Sequence, residues 1–281
     1  MAYARRHAGT EIVAVDSMQV YRGMDIGTAK PSAADRAEVP HHGLDLADPA
    51  DDWSVTQFTV VAQAALDGIA ARGGRALLVA GTGLYLRSLT DPMEVPGQWP
   101  DLRRALEERA QHEGSSVLHA ELQSLDPVAA ARMEPTNVRR VVRALEVSLG
   151  SGRPFSSFGP GIDQYPPIDI VQVGIQWQRD ELTRRIERRV HLMMDAGLLG
   201  EVERVLGNGM SRTARQALGY RELIDHLEGN CSLDAAVAEI VLRTRQFAVR
   251  QERWFRRDPR VRWVCVEHDP VAEVLPVLEE A

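Results

Sequence analysis

The stretch 16–31, which reads DSMQVYRGMDIGTAKP, holds the residues of this chain that are best suited to chemistry. It lacks the alternation of apolar residues that predicts a strand. Asp16 directly follows the apolar run EIVAV, so we interpret it as a candidate general base at a strand end, although a turn or capping aspartate is the commoner role. Ser17 and Gln19 can hydrogen-bond a substrate or each other, and Lys30, the only lysine, adds positive charge.

Two further segments carry groups that can bind phosphate. The run RALLVAGTG ends in a glycine-rich turn around Thr82, whose backbone N–H groups can bind an anion, although glycines at strand ends are often only turns. On the predicted helix RRVVRALE, Arg139, Arg140 and Arg143 can bind a diphosphate or an RNA phosphate. Surface pairing of these arginines with Glu146 explains the same spacing equally well.

The segment 241–262 is strongly basic. It holds eight arginines against two acidic residues, a local net charge of +6. Phe247, Trp254 and Phe255 are interleaved with the arginines. Basic side chains bind a phosphate backbone, and aromatic faces stack unpaired bases, so the segment is a candidate RNA-binding surface. A solvated amphipathic helix with its aromatic residues in the core remains the alternative.

The charge, the cysteines and the apolar runs of the chain limit the partners and sites that it can have. The chain has 281 residues and a formal net charge of −7, which taken alone argues against a nucleic-acid partner. Cys231 and Cys265 lack the spacing of a zinc site or a disulfide framework, so we predict free thiols, a cytoplasmic location and no metal held by the protein. No apolar run reaches the ~18 residues that span a bilayer, and we predict no membrane partner.

Strand patterns alternate with helix patterns along the chain, which predicts a parallel sheet flanked by helices. The strand patterns are EIVAVD, HHGLDL, RALLVA, DIVQVGIQW and VRWVCVE. Because parallel strands end at one edge of a sheet, we expect Asp16 and Thr82 to line one crevice. The predicted organisation is an α/β core of 1–91, 151–178 and 258–281 with two helical additions, 92–150 and 179–257, that contact RNA.

Five motifs resemble, in this order, those of the bacterial tRNA dimethylallyltransferases. They are DSMQVYRGMDIGTAKP, AGTGLYLRSL, RRVVRALEV, QALGYREL and TRQFAVRQERWF, and they cover nearly the whole chain. The resemblance implies a P-loop-kinase-like α/β fold with helical insertions. It also implies a monomeric prenyltransferase that moves a dimethylallyl group from dimethylallyl diphosphate to the exocyclic amine of adenosine 37, beside the anticodon of tRNA.

The resemblance further implies a mechanism. Asp16 removes the amine proton, because the lone pair of an exocyclic amine is delocalised into the ring and needs a base. The adenosine leaves its stack to reach the site. Arg140 and Arg143 bind the diphosphate leaving group, and Mg²⁺ neutralises part of its charge.

The motifs also carry over a set of RNA contacts. These are Asp16, Ser17, Met18, Gln19, Thr82, Arg103, Arg139, Arg140, Val141, Val142, Arg143, Gln216, Gly219, Tyr220, Arg221, Arg245, Gln246, Arg250 and Gln251. The sequence departs from the family pattern at three places. Arg139 stands where Gln is usual, and Val249 and Arg253 stand where Lys and Thr are more frequent.

The resemblance also implies a phosphate loop of the type G-x-x-x-x-G-K-[ST] before the first motif, and no segment of the 281 residues matches it. We therefore expect a core without the first strand and its loop, and weak or absent turnover by the chain as given, because the backbone N–H cage is lacking. Two other functions stay open: a non-catalytic tRNA-binding remnant, and an isopentenyltransferase acting on free adenine nucleotides. The basic segment 241–262 disfavours the latter, since a mononucleotide needs no extended basic surface.

Overall fold

The structure, a computed structural model, describes residues 1–91, 94–159 and 164–280. Grouping by spatial contact divides the chain into two compact units, Met1–Thr90 with Pro167–Ala281, and Asp91–Pro166. We call them unit 1 and unit 2. Unit 1 contains strands and helices, and the described part of unit 2 contains helices alone. The predicted boundaries between core and additions stay a prediction.

Five strands occur in the described residues, all in unit 1. They are β1 (Thr10–Val15), β2 (His41–His42), β3 (Arg75–Ala80), β4 (Gln172–Trp177) and β5 (Val261–Val266). Every pairing between them is parallel, which confirms the predicted sheet type. The strands form two sheets, however, in the orders β2-β1-β3 and β4-β5, where the sequence pattern predicted one. The reason is that β3 and β4 share no ladder of hydrogen bonds, which is the interaction that joins strands into a sheet.

The register between β1 and β3 decides where the site forms. Thr10 lies opposite Arg75, and Val15 lies opposite Ala80. The two strands therefore end level, and the residues that follow each of them meet at the same edge. The candidate strand HHGLDL is shorter than predicted, because the chain turns at Gly43, whose φ is 83°, and only His41 and His42 pair with β1.

Helices surround the strands in unit 1. They are α1 (Ala2–Arg6), α2 (Ala33–Glu38), α3 (Val55–Ala71), α4 (Gly83–Thr90), α9 (Arg179–Asp195), α10 (Leu198–Gly207), α11 (Tyr220–Leu227), α12 (Leu233–Phe255) and α13 (Pro270–Glu279). The helix predicted from Ser54 forms as α3. The Ser54 hydroxyl oxygen accepts the backbone N–H of Gln57, and the Gln57 side-chain oxygen accepts the backbone N–H of Ser54. One core contains residues from β1, α3, α10, α11 and α12, so these elements pack as one body.

Unit 2 consists of helices around a separate core. They are α5 (Pro100–Glu113), α6 (Ser115–Leu125), α7 (Pro127–Ala130) and α8 (Val138–Ser151). Leu106, Leu118, Leu122 and Leu145 fill this core and are at most 2% exposed. Asp126 fixes the chain around it: its carboxylate caps α7 at Ala129 and accepts the backbone N–H of Ser156 at 2.7 Å. In the described parts of both units, no helix is both long enough and apolar enough to cross a membrane.

Candidate active site

Asp16 sits in a tight turn directly after β1. Its Oδ1 accepts the backbone N–H of Met18 at 2.7 Å and that of Gln19 at 3.2 Å. Its Oδ2 accepts no hydrogen bond from the described part of the chain and faces Gly81, where an added Cβ would lie 3.0 Å away. One oxygen of the carboxylate therefore fixes the side chain, and the other is free to take a proton.

Thr82 meets this turn from the end of β3. The backbone N–H of Ser17 donates to Thr82 Oγ1 at 3.2 Å, and the two hydroxyl oxygens are 3.3 Å apart. The structure thus brings Asp16, Ser17 and Thr82 together at one sheet edge, as the strand pattern predicted. These residues meet because β1 and β3 end at the same level.

A third segment reaches the same edge from α12. The Gln251 amide donates to the carbonyl of Gly81 at 2.6 Å. One turn further, the indole of Trp254 lies so close to Gly83 that a Cβ there would overlap it. The guanidinium of Arg257 stacks over the Trp254 ring at 4.6 Å. The crevice therefore joins residues more than 160 positions apart in sequence.

The rest of the first motif holds the turn in place. Gln19 donates from Nε2 to the carbonyl of Thr28 at 2.9 Å. Lys30 is 1% exposed and donates to the Tyr21 carbonyl, Asp25 and Asp45 at 2.5, 2.8 and 2.6 Å. The positive charge that Lys30 adds to the motif is thus offset by the carboxylates of Asp25 and Asp45.

Two residues near Asp16 escaped the sequence analysis. The charge of Asp16 acts on Arg189 of α9 and on Tyr85 of α4. Burial raises the pKa of Tyr85, and the Asp16 carboxylate raises it further, so Tyr85 stays neutral. Arg189 makes no hydrogen bond or ion pair with the described residues and lines a cavity of about 630 Å³, which also includes Ile26 and Arg36. Tyr85 lies within the motif AGTGLYLRSL, whereas Arg189 lies outside the five motifs, so no motif pointed to it.

The QALGYREL segment divides into exposed and buried positions. Gln216 and Arg221 are exposed. Gly219 is buried and donates its N–H to Glu222 at 2.9 Å. Tyr220 is fully buried, and its hydroxyl donates to Glu201. Within this segment, therefore, the side chains of Gln216 and Arg221 reach the surface, whereas Tyr220 packs inside the protein.

The basic segment 241–262 covers the second half of α12 and continues through the following turn into the start of β5. Arg245, Gln246 and Arg250 are exposed, and Arg250 lies 5.9 Å from the Phe247 ring centre. Arg245 makes no ion pair with any described residue, whereas Arg243 is bound to Glu239 at 2.5 Å. Arg256 and Arg260 are similarly paired, with Glu252 and Asp258. Part of the +6 charge is therefore neutralised locally, and Arg245 and Arg250 are among the arginines that stay available.

In unit 2 the motif RRVVRALE separates into three environments. Arg139 and Arg140 are exposed and unpaired with the described residues. Val141 and Val142 face the core, at 0% and 3% exposure. The third environment is the carboxylate of Glu146, which is 1% exposed and binds Arg103 at 2.8 Å and Arg143 at 2.9 Å. The sequence had left open whether the arginines of this motif pair with Glu146. Arg143 does, and Arg103 from α5 binds the same carboxylate.

Comparison with known proteins identifies the family. The model of the IPP transferase family matches residues 19–258. A tRNA dimethylallyltransferase from Streptomyces coelicolor is 46% identical over 93% of this chain and 84% of its own length. Another, from Geobacter metallireducens, is 47% identical over 91% and 84%. The crystal structure of a tRNA isopentenylpyrophosphate transferase from Bacillus halodurans aligns over 99% of this chain and 89% of that one, with 36% identity and a TM-score of 0.69.

A structure of a eukaryotic dimethylallyltransferase acting on tRNA aligns with a TM-score of 0.80 at 22% identity, over 99% of this chain and 73% of that one, and supports the fold. The structural matches support the fold. The named relatives are prenyl-transferring enzymes. The family model matches most of the chain, and the relatives share close to half of its residues. The chain therefore belongs to the IPP transferase family.

Proposed function

We propose that this protein transfers the dimethylallyl group of dimethylallyl diphosphate to the exocyclic amine of adenosine 37 in the tRNA anticodon stem-loop. The observation that carries the proposal is the placement of Asp16. Its Oδ2 is unbonded to described residues at the edge where β1, β3 and α12 converge. Such an oxygen can accept a proton without first breaking an internal hydrogen bond.

The proposed step is a nucleophilic substitution at the allylic carbon of the diphosphate substrate. The amine nitrogen forms a bond to the allylic carbon, while the carbon–oxygen bond to diphosphate breaks and its electron pair leaves with the diphosphate. The amine proton passes to Asp16. The Met18 and Gln19 N–H groups keep the carboxylate oriented during this transfer. Positioned general bases contribute about 10²–10⁴-fold in rate.

Binding of the RNA uses exposed cations. Arg245 and Arg250 on α12 and Arg221 on α11 are exposed and belong to the same compact unit as Asp16. Arg139 and Arg140 offer a further exposed pair in unit 2. Arginines bind phosphate oxygens through two parallel N–H donors, which suits an RNA backbone. Of the remaining carried-over contacts, Gln216 and Gln246 are exposed and are candidates for the same role, whereas Val141, Val142, Gly219 and Tyr220 are buried.

The leaving group requires positive charge. Arg140 is an exposed candidate for the diphosphate, whereas the charge of Arg143 is already offset by Glu146. In the described ranges no group of three or more His, Cys, Asp or Glu is placed to hold a metal ion. Since the described residues offer no such cluster, we propose that Mg²⁺ enters with the diphosphate. We also propose a monomer acting in the cytoplasm, where tRNA is the partner.

The test compares Asp16→Asn with the parent chain on an anticodon stem-loop that has adenosine at position 37. Asparagine keeps the Oδ1 acceptor and removes the basicity. Single-turnover conditions, with protein in excess and Mg²⁺ present, detect even the slow transfer expected of this chain. We expect the rate of label transfer to fall by about 10²–10⁴-fold in Asp16→Asn. The dissociation constant for the stem-loop stays within about threefold, because a merely positioned base adds little to ground-state binding.

Asp67→Asn is the matched control, since Asp67 is exposed on α3 and bonds only Gln63 in the described structure. Its rate should equal that of the parent. Equal rates for the parent and Asp16→Asn would refute the assignment of the base. A parent chain that binds the stem-loop and transfers nothing to it would instead favour a non-catalytic RNA-binding protein.

A further inference from the structure

Glu201 of α10 is a buried acid that the sequence analysis passed over. It is 2% exposed, and its carboxylate accepts the backbone N–H groups of three consecutive residues in the first motif. Asp25 donates at 3.0 Å, Ile26 at 2.9 Å and Gly27 at 3.1 Å. Successive N–H groups of this kind form a concave anion-binding site. Here the anion is supplied by the protein itself, from a residue about 175 positions away.

A second element locks the same carboxylate. The hydroxyl of Tyr220, the first residue of α11, donates to Glu201 Oε1 at 2.5 Å. The Tyr220 ring packs so closely on Gly27 that a Cβ at that position would overlap it. Glu201 and Tyr220 therefore hold the loop 25–29 from two sides, through donors and through contact.

The loop 25–29 in turn supports the turn that contains Asp16. Gln19 donates its side-chain amide to the carbonyl of Thr28 at 2.9 Å, while its backbone N–H donates to Asp16 Oδ1 at 3.2 Å. Thr28 is itself fixed by a hydrogen bond from its hydroxyl to the Met24 carbonyl at 2.5 Å. Hydrogen bonds thus link Glu201 to the loop, the loop to the Gln19 side chain, and the Gln19 backbone to Asp16, with the covalent chain connecting them.

We propose that Glu201 is a positioning residue for the RNA substrate, acting through the loop 25–29 and Gln19. This inference rests on the proposed function, and it adds a residue outside the recognised motifs. A buried carboxylate is costly unless its oxygens are fully bonded, so its presence at this point ties the conformation of the loop to α10. Without that anion the three N–H groups lose their partner, and the Gln19 turn loses its support.

The experiment compares Glu201→Gln with Glu203→Gln. Glu203 lies on the same helix, is exposed and pairs with no described residue, so the two changes remove the same charge. Glutamine offers one acceptor oxygen where the site needs two. Three quantities are measured on folded protein: hydrogen exchange of the amides of residues 25–27, the dissociation constant for the anticodon stem-loop, and the concentration dependence of single-turnover transfer.

We expect Glu201→Gln to speed exchange at these amides and to raise both the stem-loop dissociation constant and the half-saturating concentration by about tenfold. The maximal rate should change less. A role in global stability alone would only lower the active fraction. Protein concentrations are therefore expressed per active protein, from stoichiometric titration with the stem-loop, and on that scale such a role leaves the half-saturating concentration in place. Glu203→Gln should match the parent in all three measurements.

Tyr220→Phe serves if Glu201→Gln does not fold, because it removes one donor and keeps the ring against Gly27. It should shift the same quantities by about two- to tenfold. Parent-like stem-loop affinity and half-saturation in the folded variant would overturn the inference, with or without faster exchange. Failure of the proposed function is recognised separately, as a parent chain that neither binds nor modifies the stem-loop although the amides of residues 25–27 remain protected.

Discussion

At the scale of single residues, the two oxygens of Asp16 have different tasks. Oδ1 is engaged by two backbone N–H groups, and Oδ2 faces Gly81 without a described partner. The proposed role as general base requires such a division, with the side chain fixed by one oxygen and the other oxygen left to take a proton. Lys30 shows the opposite outcome in the same motif, since all its donors are used inside the protein.

Gly83 supplies a residue-scale prediction. Its Cα lies against the Trp254 indole, and a Cβ would overlap the ring. We predict that Gly83→Ala lowers the free energy of unfolding by about 1–3 kcal/mol, because overpacking forces neighbouring groups from their positions. Urea unfolding followed by circular dichroism measures the change.

The matched control is Gly200→Ala on α10, where no atom lies within 4 Å of an added Cβ. Alanine is the better helix former, so this control should gain roughly 0.5–1 kcal/mol. If Gly83→Ala were as stable as Gly200→Ala, the close packing of Trp254 on this turn would be ruled out.

At the scale of elements, α12 joins the fold to the candidate RNA surface. Ala236 and Ile240 bury its first half in the core, and Gln251 binds the turn after β3. Arg245 and Arg250 are exposed on the same helix. One helix therefore carries both a hydrogen bond to the turn after β3, next to Asp16, and the exposed arginines that we propose bind the RNA backbone.

The salt dependence of RNA binding tests this arrangement. We predict that Arg245→Ala with Arg250→Ala makes the plot of log affinity against log salt less steep, by about 0.7–0.9 for each phosphate that the protein no longer neutralises. The reason is that each neutralised phosphate releases condensed counterions. The measurement is the stem-loop dissociation constant at several salt concentrations.

The control for this pair is Arg184→Ala with Arg243→Ala, which removes the same charge. Both arginines are already bound to a glutamate on their own helix, at 2.8 and 2.5 Å. We expect a slope close to that of the parent. A slope reduced equally by both double variants would mean that overall charge, rather than direct phosphate contact, governs binding.

At the scale of the whole molecule, several carboxylates make the fold sensitive to acid. Hydrogen bonds from His42 and Arg72 lower the pKa of Glu11. Burial raises the pKa of Asp126, but hydrogen bonds from the backbone of Ser156 and Ala129 outweigh this effect and lower it overall. A carboxylate of this kind stabilises the fold above its unfolded pKa near ~4, and the contribution is lost as pH falls through the folded pKa.

We therefore predict that the free energy of unfolding changes little from pH 7 to pH 5, roughly, and drops below about pH 4. Asp126→Asn should lower stability at neutral pH by about 1–3 kcal/mol, since its amide cannot accept both sets of donors. It should also weaken the acid dependence. Urea unfolding at a series of pH values gives both quantities.

Asp101→Asn is the control for Asp126→Asn, because the Asp101 side chain is 94% exposed. It should follow the parent at every pH. An acid dependence that is identical in the parent and Asp126→Asn would show that Asp126 contributes no proton linkage to folding.

The sequence by itself determined those features that depend on neighbouring residues. Apolar runs predicted β1 and β3, and Ser54 predicted the start of α3, because strand burial and helix capping depend on neighbouring residues. Because parallel strands end at one edge of a sheet, the strand pattern alone predicted that Asp16 and Thr82 lie close together. The family followed from motifs whose order is a property of the chain alone.

The tertiary structure decided which of these residues remain available. Arg143 and Arg245 are the same amino acid in similar helical motifs, yet Glu146 binds the first and no described residue binds the second. Glu201 drew no attention in the sequence, because its partners are backbone N–H groups about 175 residues away. Whether a charge is neutralised, and by which distant group, depends on packing between elements, and no local pattern contains that information.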